Sequence, residues 1–281
     1  MDIDLQGVWM HTNLTPLERP ADVQALVVTP AEAARIEARI RAKFDDPNRP
    51  REPAEYFDRL TIEPVRGELH SSIITAPADG KLPGNDRFKQ LARQFGSGAL
   101  TAFDGPEQRP PSERCLNALS AAPPVTLVPS SDLRLIVQTP QAIVIASEEL
   151  HEARVVRMNA DHAPAAVTSW LGDAIGWWEG HTLVIETTQF ASTSATRAGP
   201  SSLFFVSPHT VVTERIRRVS EDEIDYAFKV EDPTYYTQPW QGETVFHRSD
   251  ARILEYACHE GNYSLRYVLE SARELERAAA K

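Results

Sequence analysis

The chain has 281 residues, 42% of them hydrophobic and 25% charged, with a formal net charge of −11. This is the composition of an ordinary globular protein able to bury a sizeable core, and it argues against disorder over most of the length. With an acidic balance and no basic stripe, nucleic acid and anionic membrane surfaces are not expected partners, and no run of about 20 apolar residues is present to span a bilayer.

In chain order, Asp4-Leu5-Gln6-Gly7-Val8-Trp9 places a flexible glycine two residues before a large aromatic, the pattern expected where a first barrel strand begins and its Trp plugs the floor. Met1 to Trp9 lacks the basic-then-apolar pattern of a leader. The chain therefore reads as cytoplasmic as written, or alternatively as a periplasmic or secreted mature form with its leader removed. Residues 29–44 carry a Thr N-cap, Pro at the first helical position and an acid in the first turn, which predicts a helix. Residues 45–53 read as a loop and Tyr56 to Glu63 as a short strand. Phe88, Leu91, Ala92 and Phe95 have helical spacing within 86–95, and Gly96-Ser97-Gly98 ends that helix. The proline-rich stretch 104–131 holds one short helical piece, Ser112 to Leu119.

From Leu133 the texture changes to short β-branched runs separated by turn residues, the signature of an antiparallel sandwich or barrel. The predicted strands are 133–138, 141–147, 153–158, 167–171, 174–178, 182–188, 209–219 and 223–231, with 243–248 and 252–258 as a last pair. Glu179-Gly180-His181 reads as a hairpin turn. Ile224, Tyr226, Phe228 and Val230 face one way and Asp225, Lys229 and Glu231 the other, giving a dry and a wet face. Leu265, Val268, Leu269, Ala272 and Leu275 give an amphipathic final helix over 264–280, suited to closing one end of a barrel. Cys115 and Cys258 have neither CxxC spacing nor a Cys/His cluster, so no metal is expected. They read as two buried free thiols or as one long-range disulfide.

The segments Glu113-Arg114-Cys115-Leu116, His151-Glu152-Ala153-Arg154, Gly172-Asp173 through Gly176-Trp177-Trp178-Glu179-Gly180, and Tyr256-Ala257-Cys258-His259-Glu260-Gly261-Asn262-Tyr263 resemble a large bacterial family usually described as hypothetical, from Gly7 to about Glu276. The resemblance implies an exported origin and favours a Cys115–Cys258 bridge, without implying any chemistry. The strand section is also similar to lipocalin-like proteins of the carotenoid-hydratase type. The expected fold is therefore mainly β (α+β): one lipocalin-like antiparallel barrel over 1–281, with a helical and Pro-rich elaboration or lid at 20–130, barrel strands over 133–258 and a C-terminal helix at 264–280.

Acid–base work without a cofactor needs a proton donor and acceptor in a partly dry cavity. His151, Asp173 and His259 are the candidate catalytic residues, each with a bland alternative in a turn or a cap. Trp177, Trp178 and Tyr263 are candidate pocket walls, Arg114 and Arg154 candidate forks for a carboxylate or enolate oxygen, and Tyr226 and Phe228 inward-facing substrate contacts. The motifs of nucleotide, phosphate, serine-hydrolase and zinc-peptidase sites are missing from the sequence. The expectation is a lyase, hydratase or isomerase for a hydrophobic oxygenated molecule, with a non-catalytic carrier of an apolar ligand as the alternative and a homodimer as one option for assembly.

Overall fold

The computed structural model describes residues 3–11, 13–44, 60–97, 103–109, 113–116, 122–125, 133–191, 194–198 and 202–280. Strand β1 (Gly7–Met10) starts at Gly7, whose φ of 137° lies in a region that disfavours a Cβ. Two residues on, Trp9 is buried. Its indole N–H donates to the Leu5 carbonyl at 2.8 Å, and the guanidinium groups of Arg218 and Arg248 lie 5.7 and 5.8 Å from its ring centre. The glycine-then-tryptophan start thus produces the plugged floor that the sequence predicts.

Helix α1 (Pro30–Phe44) begins with a reciprocal cap: the Glu32 amide donates to Thr29 Oγ1 at 3.3 Å, and the Thr29 amide donates to the Glu32 carboxylate at 3.0 Å. Its buried face, Ala33, Ile36 and Ile40, forms a small core with Leu14, Val23, Val28, Leu60 and Ile62. The two-residue strands β2 (Pro64–Val65) and β3 (Glu68–Leu69) pair beside it, and β4 (Ile74–Ala76) adds to the main sheet. Helix α2 (Asp86–Ser97) rests Phe88 and Leu91 on the main core rather than exposing them; Phe95 lies outside the described side chains.

The main sheet uses β5 (Leu133–Gln138), β6 (Ala142–Ser147), β7 (Ala153–Met158), β8 (Asp173–Glu179), β9 (Thr182–Thr188), β12 (Val211–Arg218), β13 (Glu223–Glu231) and β14 (Trp240–Arg248). A hairpin of β10 (Ser194–Ala198) and β11 (Ser202–Val206) lies between β9 and β12 in the chain. Strands pair in the order β1-β5-β6-β7-β8-β9-β12-β13-β14, and β14 pairs back onto β1, so nine strands close a lipocalin-like barrel. The tight connections after β5, β8 and β12 mark the floor, and the opposite end is the rim. Gly242 on β14 leaves room for the Phe228 ring, since a Cβ there would lie 2.4 Å from that ring.

Several expectations are corrected. The barrel is mixed rather than wholly antiparallel, because β7 and β8 run parallel. A parallel pair needs a crossover, and residues 167–171, predicted as a strand, are spent on it. Residues 252–258 also form no strand: β14 is already paired on both sides, by β13 and by β1 with β4, so no edge is left for them. Of the predicted strand at 56–63, the described residues 60–63 are irregular and pairing starts at Pro64; the others lie outside the described residues. Of the predicted helix at 112–119, the described residues 113–116 form a turn. The final helix α3 (Ser264–Ala279) buries none of its residues and lies against residues 103–109 instead of closing the barrel. Of the two alternatives open for Cys115 and Cys258, the structure has the disulfide, the one the resemblance favours. No helix is long and apolar enough to cross a membrane among the described residues.

Candidate functional site

Strand parity decides what enters the lumen. Alternate residues of each strand face inward, and the core aromatics Trp9, Tyr226, Phe228, Trp240 and Phe246 fix which parity that is. Most inward positions are apolar, yet one polar side chain enters from almost every strand: Arg134 from β5, Ser147 from β6, Arg154 from β7 and Thr187 from β9. Around the remaining wall follow Glu214 from β12, Tyr226 from β13, Thr244 from β14 and, just past the end of β1, His11. All eight are buried. They form a polar belt between the plugged floor and the aromatic residues toward the rim.

At the centre of the belt, Arg154 grips Glu214 with both terminal nitrogens, one of them at 2.9 Å, and lies 3.4 Å from the Thr187 hydroxyl. The Tyr226 hydroxyl donates to Glu214 Oε1 at 2.9 Å and accepts from the Val125 amide at 2.8 Å. Burial works against the charge on Arg154, but the adjoining Glu214 carboxylate outweighs it and holds the guanidinium firmly protonated. Burial, aided by the Glu214 charge, pushes the Tyr226 phenol well above its ordinary value, so it remains a donor at neutral pH. The Arg154 Nε atom has no protein partner.

His11 sits on the opposite side of the Tyr226–Phe246 stack, edge-on to Phe246 with ring centres 5.1 Å apart; Phe246 in turn stacks on Tyr226 at 5.0 Å. Burial first, then the charge of Arg134 and the proximity of His247, push the His11 imidazole well below its ordinary value, so the ring is neutral at pH 7. The Thr15 amide donates to Asn13 Oδ1 at 2.9 Å, which fixes the orientation of the Asn13 amide, and Asn13 Nδ2 donates to Thr244 Oγ1 at 3.1 Å. The Thr244 hydroxyl then has its own proton to give to His11 Nε2, 2.8 Å away. That arrangement permits an imidazole proton on Nδ1, a buried atom with no protein partner; the Thr244 oxygen can equally accept from both Asn13 and His11, which places the proton on Nε2.

Of the residues singled out from the sequence, Arg154, Tyr226 and Phe228 share this lumen. Trp178 lies at the floor, in a cleft of about 300 Å³ lined also by Gln138, Met158 and Asn159. The three candidate catalytic residues are not brought together. His151 is exposed on the β6–β7 connection, where its Nε2 accepts from the Tyr256 amide at 3.1 Å. Asp173 faces outward at the start of β8, accepting from Arg157 at 2.8 and 2.9 Å, His162 Nδ1 at 2.7 Å and the Ala163 amide at 3.0 Å. His162 reaches Glu186 with its other nitrogen at 3.2 Å, so this outer cluster clamps the β7–β8 crossover to the wall. His259 is exposed beyond the last strand. Trp177 faces outward and donates to Glu179 at 3.1 Å, Tyr263 is exposed at the start of α3, and Arg114 is half-buried beside the disulfide.

Sequence reasoning missed His11, Arg134, Glu214 and Thr244. For Glu214 a signal existed: in Val212-Thr213-Glu214-Arg215-Ile216 the apolar parity runs Val212, Ile216, with the glutamate between them on the same face. For His11 there was none, since it follows the short first strand. Among the described residues no group of three or more His, Cys, Asp or Glu side chains is placed to hold a metal ion. Comparison of the chain with protein-family models, curated proteins and solved structures finds no match.

Proposed function

We propose that the barrel binds a small, mainly apolar molecule carrying an oxygen function. The aromatic wall of Tyr226, Phe228, Trp240 and Phe246 takes the skeleton, and the polar belt orients the oxygen. The observation that carries this reading is the buried, unpartnered His11 Nδ1 atom; with the proton there, a buried donor left unpaired costs roughly 1–3 kcal/mol that an acceptor on a guest would recover. Lumen tryptophans provide the assay. Titration with decan-2-one should quench Trp fluorescence saturably, and His11→Phe should weaken that binding about tenfold while leaving decane binding unchanged, the factor expected for one hydrogen bond. Absence of saturable quenching, together with no retained ligand in native mass spectra, rejects the reading.

A second reading is cofactor-independent acid–base turnover of the same class of molecule, as a lyase, hydratase or isomerase. It is favoured by one contrast in the lumen, a histidine held neutral and a tyrosine held protonated on either side of Phe246, and it uses the other His11 tautomer, in which Nε2 donates to Thr244 Oγ1 and the unpartnered Nδ1 is the base. Exchange of the α-protons of bound decan-2-one with D₂O, followed by NMR, separates it from simple carriage. Turnover predicts exchange that His11→Phe abolishes; carriage predicts none. Neither reading uses His151, Asp173 or His259.

A further inference from the structure

Past β14 the chain continues as an arm, residues 249–280, which ends in α3. Among the described residues, the arm is joined to the rest of the molecule by few and mostly exposed hydrogen bonds. The Leu254 amide donates to Glu148 at 2.9 Å and the Tyr256 amide to His151 at 3.1 Å, both on the β6–β7 connection at the rim. Farther on, Asn262 Nδ2 lies 3.5 Å from Cys115 Sγ, and Arg273 donates to the Phe103 carbonyl. Helix α3 buries no side chain, and Tyr263, Tyr267 and Leu275 are each more than 60% exposed. Between the arm and Phe103, Arg109 and Glu113 lie two clefts of about 700 and 620 Å³, meeting at Arg109 and Val268. An arm that stands off the body in this way lacks the apolar burial that holds most helices in place. Among the described residues, its one strong attachment is the Cys115–Cys258 disulfide, which spans 143 residues of sequence.

We propose that this arm is a strap across the β6–β7 rim, fastened by the Cys115–Cys258 disulfide and let go when a dithiol reduces it. The exchange balances: one thiolate of the dithiol attacks a sulfur of the bridge and displaces the other cysteine as a thiolate, then the second thiolate displaces the first cysteine. The reductant leaves as a cyclic disulfide and the protein gains two thiols. With the bridge closed, docking of the arm is intramolecular and its weak bonds persist; with the bridge open, those bonds act alone. Non-glycine residues at two of the attachment points, Cys115 and His151, have φ of 54° and 51°, a conformation they are free to relax once the arm leaves.

Hydrogen exchange read by mass spectrometry on the full chain tests this, comparing the oxidised protein, the dithiothreitol-reduced protein and a Cys115→Ser/Cys258→Ser variant. Amides of 254–276 should exchange at least about tenfold faster in both bridge-free forms, while β5–β9 and β12–β14 stay within about twofold of the oxidised protein. Unchanged exchange over 254–276 overturns the proposal, because noncovalent bonds would then suffice to hold the arm. Equal loosening of the barrel strands overturns it as well, because the bridge would then staple the whole fold. If the double variant fails to fold, the reduced wild-type chain decides alone.

Discussion

Replacing Glu214 by leucine tests whether the lumen is dry. Glu214 is fully buried, Arg154 is 3% exposed, and the carboxylate receives both Arg154 and the Tyr226 hydroxyl. Removing it leaves a guanidinium uncompensated in an apolar barrel, a loss of about 3–5 kcal/mol, and it strips Tyr226 of its acceptor for roughly 1 kcal/mol more. At about 2–4 °C per kcal/mol for a chain near this size, the melting temperature should drop by about 10 °C or more. Adding Arg154→Met removes the stranded charge, so Arg154→Met/Glu214→Leu should return to within about 1 kcal/mol of wild type or exceed it. Urea unfolding followed by tryptophan fluorescence measures all four corners of the cycle. A Glu214→Leu protein within about 1 kcal/mol of wild type would refute the reasoning: Arg154 would then be finding water, and the lumen would be wet enough to weaken every argument made from its buried donors.

Burial depresses the His11 imidazole, so it contributes stability that is present above its unfolded value of about 6.5 and is lost as pH falls toward the folded one. Wild type should therefore lose stability on acidification from about pH 6.5 downward, and His11→Gln should flatten that slope in pH-resolved urea titrations. Burial raises the Asp173 carboxyl, but the hydrogen bonds from His162, the Ala163 amide and Arg157 outweigh it and hold it below the usual carboxylate range. Its contribution is thus present above about pH 4 and lost below, and Asp173→Asn should cost about 1–3 kcal/mol at pH 7, with the gap closing in acid. Gly7→Ala should cost about 1–3 kcal/mol by thermal melting, from the φ of 137° and not from crowding, because the nearest atom to an added Cβ is a guanidinium nitrogen of Arg248 at 3.5 Å.

How far the sequence carried depended on whether local pattern and tertiary pairing agreed. Strands 133–138, 153–158, 182–188 and 223–231 have their bounds in the alternation of apolar residues, and the structure keeps those bounds. The 29–44 helix was legible because a capping box and an N1 proline act locally. The failures were topological. Val167 to Leu171 and Arg252 to Cys258 read as strands, but nothing within them says that one is needed as a crossover and that the other arrives after the sheet has closed. The hairpin of β10 and β11 was missed for the opposite reason: Ser, Thr, Gly and Pro between 192 and 202 resemble a loop. Among the site residues, Tyr226 and Phe228 were found by parity, whereas Arg154, His151, Asp173 and His259 were chosen by residue type, and residue type does not say which face of the wall a side chain occupies: of these four only Arg154 faces inward.

The charges themselves make the same point. On β7, Arg154 and Arg157 are three residues apart and so fall on opposite faces, one buried against Glu214 and the other outside against Asp173. On β12, Glu214 points in while its neighbour Arg215 reaches outward to Glu179 at 2.6 Å. A slip of β12 by one residue would carry Glu214 to the surface and bring Arg215 and Arg217 into the lumen beside Arg154, three cations in a dry space. An apolar strand slipped by one residue loses burial; this one also gains unpaired buried charge. The Arg154–Glu214 pair therefore selects the register of β12 against its neighbours, and the same choice places Tyr226 and His11 at the polar belt.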